Sequence, residues 1–324
     1  MSARVSLQAR VEQYLAERRK LGFGLRSMGP RLFSFARYVA AASHHGPLRV
    51  ELMAAWARQA KAGRGDRSTW ARRLKALRPF TSWLRQFEPG TEVPDEAVFG
   101  QVPGRMTPHV YREHEVIELL AAARKIGPDG GLRPSVMETL FGLIACTGLR
   151  ISEALGLLDA DVDLRAGVLT IRRSKFGKSR LVPLHPSAVE ALTRYRTLRA
   201  RHVSSTPELA FFVASRGRLL GRPVSDRQAH RVFDELRQQL GWVDRGSHGT
   251  PRIHDLRHSF AVRRLVLWHE QGEDVSQRML ALSTYLGHVK VSSTYWYLTG
   301  VPELMGLLGQ RFECFANPWG DGDE

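Results

Sequence analysis

The chain has 324 residues, 43% hydrophobic and 25% charged, which suits a soluble globular protein of two domains. Its 48 Lys and Arg against 32 Asp and Glu leave a formal net charge of +16, so the partner to expect is a polyanion, with nucleic acid first. Cys146 and Cys314 lie far apart with no CxxC pair, which argues against a disulfide framework or a zinc knuckle, and no apolar run is long enough for a signal peptide or a membrane span. A cytoplasmic setting is expected.

Residues 5–87 read as helices. Val11, Tyr14, Leu15 and Leu21 mark the first, and Leu32, Phe33, Phe35, Ala36, Tyr38 and Val39 the second. Leu52, Ala55 and Trp56 mark the third, and Trp70, Leu74, Leu77, Phe80 and Leu84 the fourth. The spacing predicts a bundle of about four helices. Between the third and fourth the chain turns basic: Lys61, Arg64, Arg67, Arg72, Arg73, Lys75, Arg78 and Arg85 face only Asp66. A solvated helix face usually carries both signs, so this stretch reads as a phosphate-contacting surface. Its candidates are Arg64, Arg67, Arg72, Arg73 and Lys75.

From 88 to 112 the chain is punctuated by Pro89, Gly90, Pro94, Gly100, Pro103, Gly104 and Pro108. This predicts a helical domain over 1–90, a linker over 91–112 and a second domain over 113–324. In the second domain helices are expected at 113–126, 135–147, 187–201, 225–239, 254–270, 276–286 and 301–312. Short strands are expected at Val168–Arg172 and Arg180–Pro183, flanking a polar turn. The fold class is mostly α with a small β component, an α+β arrangement.

Four segments of the second domain carry chemistry. They are Thr147-Gly-Leu-Arg-Ile-Ser-Glu153, the turn Ser174-Lys-Phe-Gly-Lys-Ser-Arg180, His254-Asp-Leu-Arg-His258, and Leu286-Gly-His288 followed by Thr294-Tyr-Trp-Tyr297. Each alone is weak. Taken alone, Arg150 reads sooner as a helix-surface arginine, and Lys175 and Lys178 as ordinary hairpin lysines. His254 and His258 have the spacing of a zinc pair, but the general-base Glu of HExxH is missing. Gly177-Lys-Ser lacks the upstream glycine of a phosphate-binding loop, since Arg172 stands there.

In order, these segments resemble the tyrosine recombinases (the phage integrase family): Arg, a hairpin Lys, HxxR, LGH, and a Tyr nine residues after that His. The resemblance spans 147–297 and implies a helical core-binding domain followed by the recombinase catalytic domain. It implies site-specific cleavage and rejoining of double-stranded DNA through a 3′-phosphotyrosine, without metal, ATP or other cofactor. Arg150 and Arg257 would hold the non-bridging phosphate oxygens, and His254 and His288 would add hydrogen bonds, with His254 also a candidate acid or base. Tyr297 would be the nucleophile, and Lys175 would protonate the leaving 5′ oxygen. Lys178 is the second choice for that lysine and otherwise a backbone-phosphate contact. Tyr295 lies off the family's spacing and reads as a packing residue. Glu153, Asp255 and His258 read as supporting groups or as ordinary helix residues. The resemblance further implies self-association as a tetramer on two DNA sites. The tail resembles transposon-borne members, some of which work with sister recombinases, and the 301–312 helix would dock on its own domain or on a neighbour. A type IB topoisomerase and a catalytically silent DNA-binding accessory protein are the alternatives.

Overall fold

A computed structural model of the chain describes residues 5–25, 27–59, 66–102, 104–127, 131–172 and 179–300, with side chains described as far as Tyr297. The expected 301–312 helix, Arg64, Lys175 and Lys178 lie outside these residues. The chain divides into two compact units, Met1–Arg105 and Met106–Glu324.

The first unit holds α1 (Leu7–Lys20), α2 (Met28–Ala41), α3 (Val50–Arg58), α4 (Arg67–Lys75) and α5 (Arg78–Leu84). Ser6 starts α1 by accepting the Ala9 N–H at 3.2 Å, and Asp66 starts α4 by accepting that of Thr69 at 2.8 Å. Short polar side chains do this because the first N–H groups of a helix have no partner within it. The helices bury Val11, Leu15, Leu32, Phe35, Trp56, Leu74, Phe80 and Leu84 in one core. The single fourth helix expected from periodicity is two helices, α4 and α5. Pro79 has no N–H to give and its ring clashes with the carbonyl one turn back, so the helix restarts with Pro79 in its first turn, where that loss is harmless.

Residues 91–102 contain no helix or strand, yet they are packed onto this unit. Glu92 accepts the Val50 N–H at 2.7 Å, and Phe99 is buried beside Trp70 with ring centroids 5.8 Å apart. Proline and glycine abolish the periodicity without abolishing the burial.

The second unit is built on α7 (Leu132–Thr147), which packs against α6 (Glu113–Arg124), α9 (Pro186–Ala200) and α11 (Ile253–Glu270). Its buried Val136, Met137, Leu140, Phe141, Leu143 and Ile144 point in several directions, as a central helix requires. Short α8 (Ile151–Leu155) follows it. Then β1 (Val162–Asp163), β2 (Val168–Ile171) and β3 (Arg180–Pro183) form an antiparallel sheet in the order β1-β2-β3. Leu169 opposes Val182 and Ile171 opposes Arg180. Leu169, Ile171 and Val182 are buried while Leu181 is exposed, the alternation of a one-sided sheet. The remaining helices are α10 (Asp226–Gln239), α12 (Val275–Leu286) and α13 (Ser292–Gly300). No described helix is long and apolar enough to cross a membrane.

Candidate active site

Two helices end on glycines in the left-handed conformation: α7 at Gly148 (φ 64°) and α12 at Gly287 (φ 66°). Only glycine takes this conformation without penalty. Space forbids a side chain as well. A Cβ on Gly148 would lie 2.6 Å from Phe260, and one on Gly287 would lie 2.6 Å from the Arg180 guanidinium.

The last carbonyls of a helix lack partners within it and sit at its negative end, so they attract guanidinium groups. Here three consecutive carbonyls at the end of α12 each hold a different arginine. Tyr285 O accepts from Arg180 Nε at 2.8 Å, Leu286 O from Arg257 Nη2 at 2.7 Å, and Gly287 O from Arg150 Nη2 at 3.2 Å. Arg257 also donates from Nη1 to Gly148 O at 2.6 Å, which joins the ends of α7 and α12. Its guanidinium is 2% exposed. Burial and the Arg150 charge lower its pKa to about 10, which leaves it cationic at neutral pH.

Glu153 balances part of this charge. It accepts the Arg150 N–H at 3.0 Å, capping α8, and takes Arg150 Nη1 at 2.7 Å. Arg180 grips it with both ends of the fork, at 3.1 and 2.9 Å. Burial alone would raise the Glu153 pKa. The Arg180 hydrogen bonds and charge, with Arg150 behind them, outweigh burial and hold it at about 2.

His254 stands in the first turn of α11. Wholly buried Asp255 caps that turn by accepting the Arg252 N–H at 2.9 Å and its guanidinium at 2.6 Å. Tyr111 donates its hydroxyl to Arg252 O at 3.1 Å and so fixes the same turn. The surrounding protein, then the Arg257 and Arg252 charges, push the His254 pKa down to about 4. His258, one turn on, has its ring 4.6 Å from that of His254. Its Nδ1 is hydrogen-bonded to the Tyr297 hydroxyl at 2.9 Å. The His288 ring lies nearly parallel to Tyr297, with centroids 6.4 Å apart, and its Nδ1 is hydrogen-bonded to Thr294 Oγ1 at 2.7 Å.

The structure therefore gathers Arg150, His254, Arg257, His288 and Tyr297 around the end of α12. Tyr297 is 1% exposed, and Tyr295, on a different side of α13, is 44% exposed. Sequence reasoning gave Arg180 no part in the site. The only sign of it is a cation heading a short strand straight after the polar turn. His258, by sequence a supporting group or a plain helix residue, contacts Tyr297 directly, and no motif spacing marks that contact.

In the first unit, Arg67 donates to Phe99 O at 2.9 Å and Arg73 to Trp56 O at 3.1 Å, while Lys75 pairs with Glu96 at 3.0 Å. Arg72 is exposed. The basic stretch is thus partly internal bracing rather than a uniformly open surface.

The profile of the phage integrase family matches residues 109–301. The protein y4rB of Sinorhizobium fredii, named as an integrase/recombinase, is 40% identical over 309 residues, covering 94% of this chain and 96% of that protein. The tyrosine recombinase XerC of Rhizobium meliloti is 32% identical over 247 residues, covering 76% of this chain and 70% of its own. Among solved structures, the Tn1549 transposon integrase in complex with transposon right end DNA superposes with a TM-score of 0.65 at 15% identity, over 90% of this chain and 94% of that one. A lambda integrase dimer bound to a core site gives 0.60 at 16% identity, over 89% and 97%.

Proposed function

The chain belongs to the phage integrase family of tyrosine recombinases, and from that premise we propose how its own residues cleave and rejoin DNA at specific sites. Neither the topoisomerase nor the silent accessory protein is favoured by these relationships. The observation that carries the assignment of residues is the hydrogen-bonded Tyr297 hydroxyl beside a cluster of arginines held by main-chain carbonyls.

A DNA phosphodiester gains negative charge as phosphorus becomes five-coordinate, so fixed cations and N–H donors supply most of the acceleration. Arg150 and Arg257 bind the non-bridging oxygens, joined by His254 and His288. Burial and the Arg257 and Arg252 charges lower the His254 pKa to about 4 before DNA binds, so a neutral imidazole meets the phosphate. Tyr297 Oη attacks phosphorus, the P–O5′ bond breaks, and a 3′-phosphotyrosine forms. His258, at 2.9 Å, is the imidazole positioned to receive the phenolic proton. Lys175 gives a proton to the departing 5′ oxygen. Rejoining is the same step reversed, so the bond energy is conserved without ATP, and the arginines take the part a metal plays elsewhere. Double-stranded DNA is the partner. A tetramer on two sites follows from exchanging strands between two duplexes, with sister recombinases as further members. In the first unit Arg72 is the candidate best placed for a DNA phosphate.

The test is to trap covalent adducts on suicide substrates drawn from DNA flanking the gene, in EDTA and without ATP. Wild type and Tyr295→Phe are expected to give a denaturant-resistant adduct, and Tyr297→Phe none. Loss in Tyr295→Phe alone moves the nucleophile. Tight binding with no adduct from any of the three overturns the catalytic reading.

A further inference from the structure

Arg180 lies outside the residues to which the reaction has been assigned, yet it touches two things those residues depend on. It grips Glu153 through both terminal nitrogens, at 3.1 and 2.9 Å, and donates Nε to Tyr285 O at 2.8 Å. Its side chain is 10% exposed, against 23% for Arg150. All three of its guanidinium nitrogens are bonded to the protein. Arg150 differs. One terminal nitrogen meets Glu153 and the other meets Gly287 O, and among the described residues its remaining N–H groups have no partner.

Carboxylate and guanidinium prefer to meet in a two-point fork. Glu153 makes that fork with Arg180 and gives the Arg150 guanidinium one oxygen, while the other accepts the Arg150 main-chain N–H. Were Arg180 absent, Glu153 Oε2 would keep only the Arg150 main-chain N–H and could take a second bond from the Arg150 guanidinium, and that two-point pair would turn the guanidinium away from the phosphate. The local charge would fall too, since Arg180 offsets the Glu153 carboxylate set against Arg150 and Arg257. Gly287 leaves room for this arrangement, because a Cβ there would strike the Arg180 guanidinium. Arg180 also pairs with Ile171 at the base of the strand pair, which ties the sheet to the end of α12.

We infer that Arg180 is a positioning residue of the cleavage reaction: by occupying Glu153 it keeps Arg150 available to the scissile phosphate. The inference rests on the recombinase reading of the site. It predicts an unusual coupling, in which removing Glu153's charge repairs the loss of Arg180.

The experiment is single-turnover adduct formation by wild type, Arg180→Gln, Glu153→Gln and the double variant, alongside their dissociation constants for the same DNA. Rates are taken at a temperature where thermal denaturation shows every variant folded, so that recovered stability does not register as recovered rate. Arg180→Gln is expected to slow adduct formation about 100-fold, the scale of a misplaced reacting group, with DNA affinity within about threefold of wild type. The double variant is expected to regain about tenfold over Arg180→Gln, a coupling typical of residues in contact. A double variant as slow as Arg180→Gln, or slower, overturns the inference. So does an Arg180→Gln whose defect lies wholly in DNA affinity. If Arg180→Gln does not fold, the comparison is made on Arg180→Lys, which keeps the charge but cannot make the fork. Absence of a wild-type adduct would strike the recombinase reading itself, and is distinct from a wild-type adduct without recovery in the double variant.

Discussion

Arg257 and Arg73 each donate to a main-chain carbonyl at a helix end, yet they are used differently. Arg257 is sealed between α7 and α12, with both terminal nitrogens bonded to carbonyls. Arg73 lies over the Trp56 ring, 4.3 Å from its centroid, with one bond to Trp56 O and a buried Nε that has no hydrogen-bond partner among the described residues. The first is fixed from two sides before any ligand arrives. The second braces α4 against α3 from one side. Held cations of the first kind cost little reorganisation when a phosphate binds, which is what transition-state stabilisation needs.

Replacing each by alanine should give the largest separation between the two. Arg257→Ala leaves two buried carbonyls unpaired and removes a phosphate ligand. Adduct formation should fall by about 10²–10³ and stability by about 3 kcal/mol. Arg73→Ala should cost about 1 kcal/mol in a denaturation experiment and leave the cleavage rate per bound complex unchanged. Equal catalytic losses in the two would break the distinction.

Acid should separate the units next. Glu153 is held at about 2 against an ordinary 4.5, so its contribution is complete above about pH 4.5 and is lost as pH falls toward 2. That contribution is up to about 3 kcal/mol. His254, pushed down to about 4 from 6.5, acts in the same direction over a higher window, with full stability above 6.5 and loss on the way down to 4. Unfolding followed by probes specific to each unit should show the second unit weakening first between pH 6.5 and 3, with Glu153→Gln flattening the lower part of the curve. An unchanged curve in that variant would mean the carboxylate is not held as described.

The smallest effect concerns the exposed cation. Arg72→Ala should weaken DNA binding evenly across sequences and lower the slope of log affinity against log salt by about 1. Lys75→Ala, which removes an exposed pair with Glu96, should leave stability almost unchanged. A larger salt-slope change from Lys75 than from Arg72 would reverse their assignment.

These contrasts also explain what the sequence made legible. Helices such as α7, α11 and α12 announce themselves by apolar spacing, and Arg150, His254, Arg257, His288 and Tyr297 by motif order. β1 spans only Val162–Asp163, too short to show alternation. The α4–α5 break needed weight on Pro79 against a continuous apolar stripe. Arg180 stayed hidden because its partners lie 27 and 105 residues away, and one of them is a carbonyl that every residue possesses. For the same reason Arg67 and Arg73 looked free, since their acceptors, Phe99 O and Trp56 O, leave no mark in the sequence.

The packed segment 91–102 bears on how such proteins exchange parts. Glu92 and Phe99 close the first unit on its own helices, so the piece that can be moved as a whole runs to about residue 102 rather than ending with the last helix at Leu84. A hybrid joined at 90 would leave Phe99 and the Glu92 carboxylate behind and expose the faces of α3 and α4 they cover. A hybrid joined at the unit boundary, after Arg105, keeps that core intact.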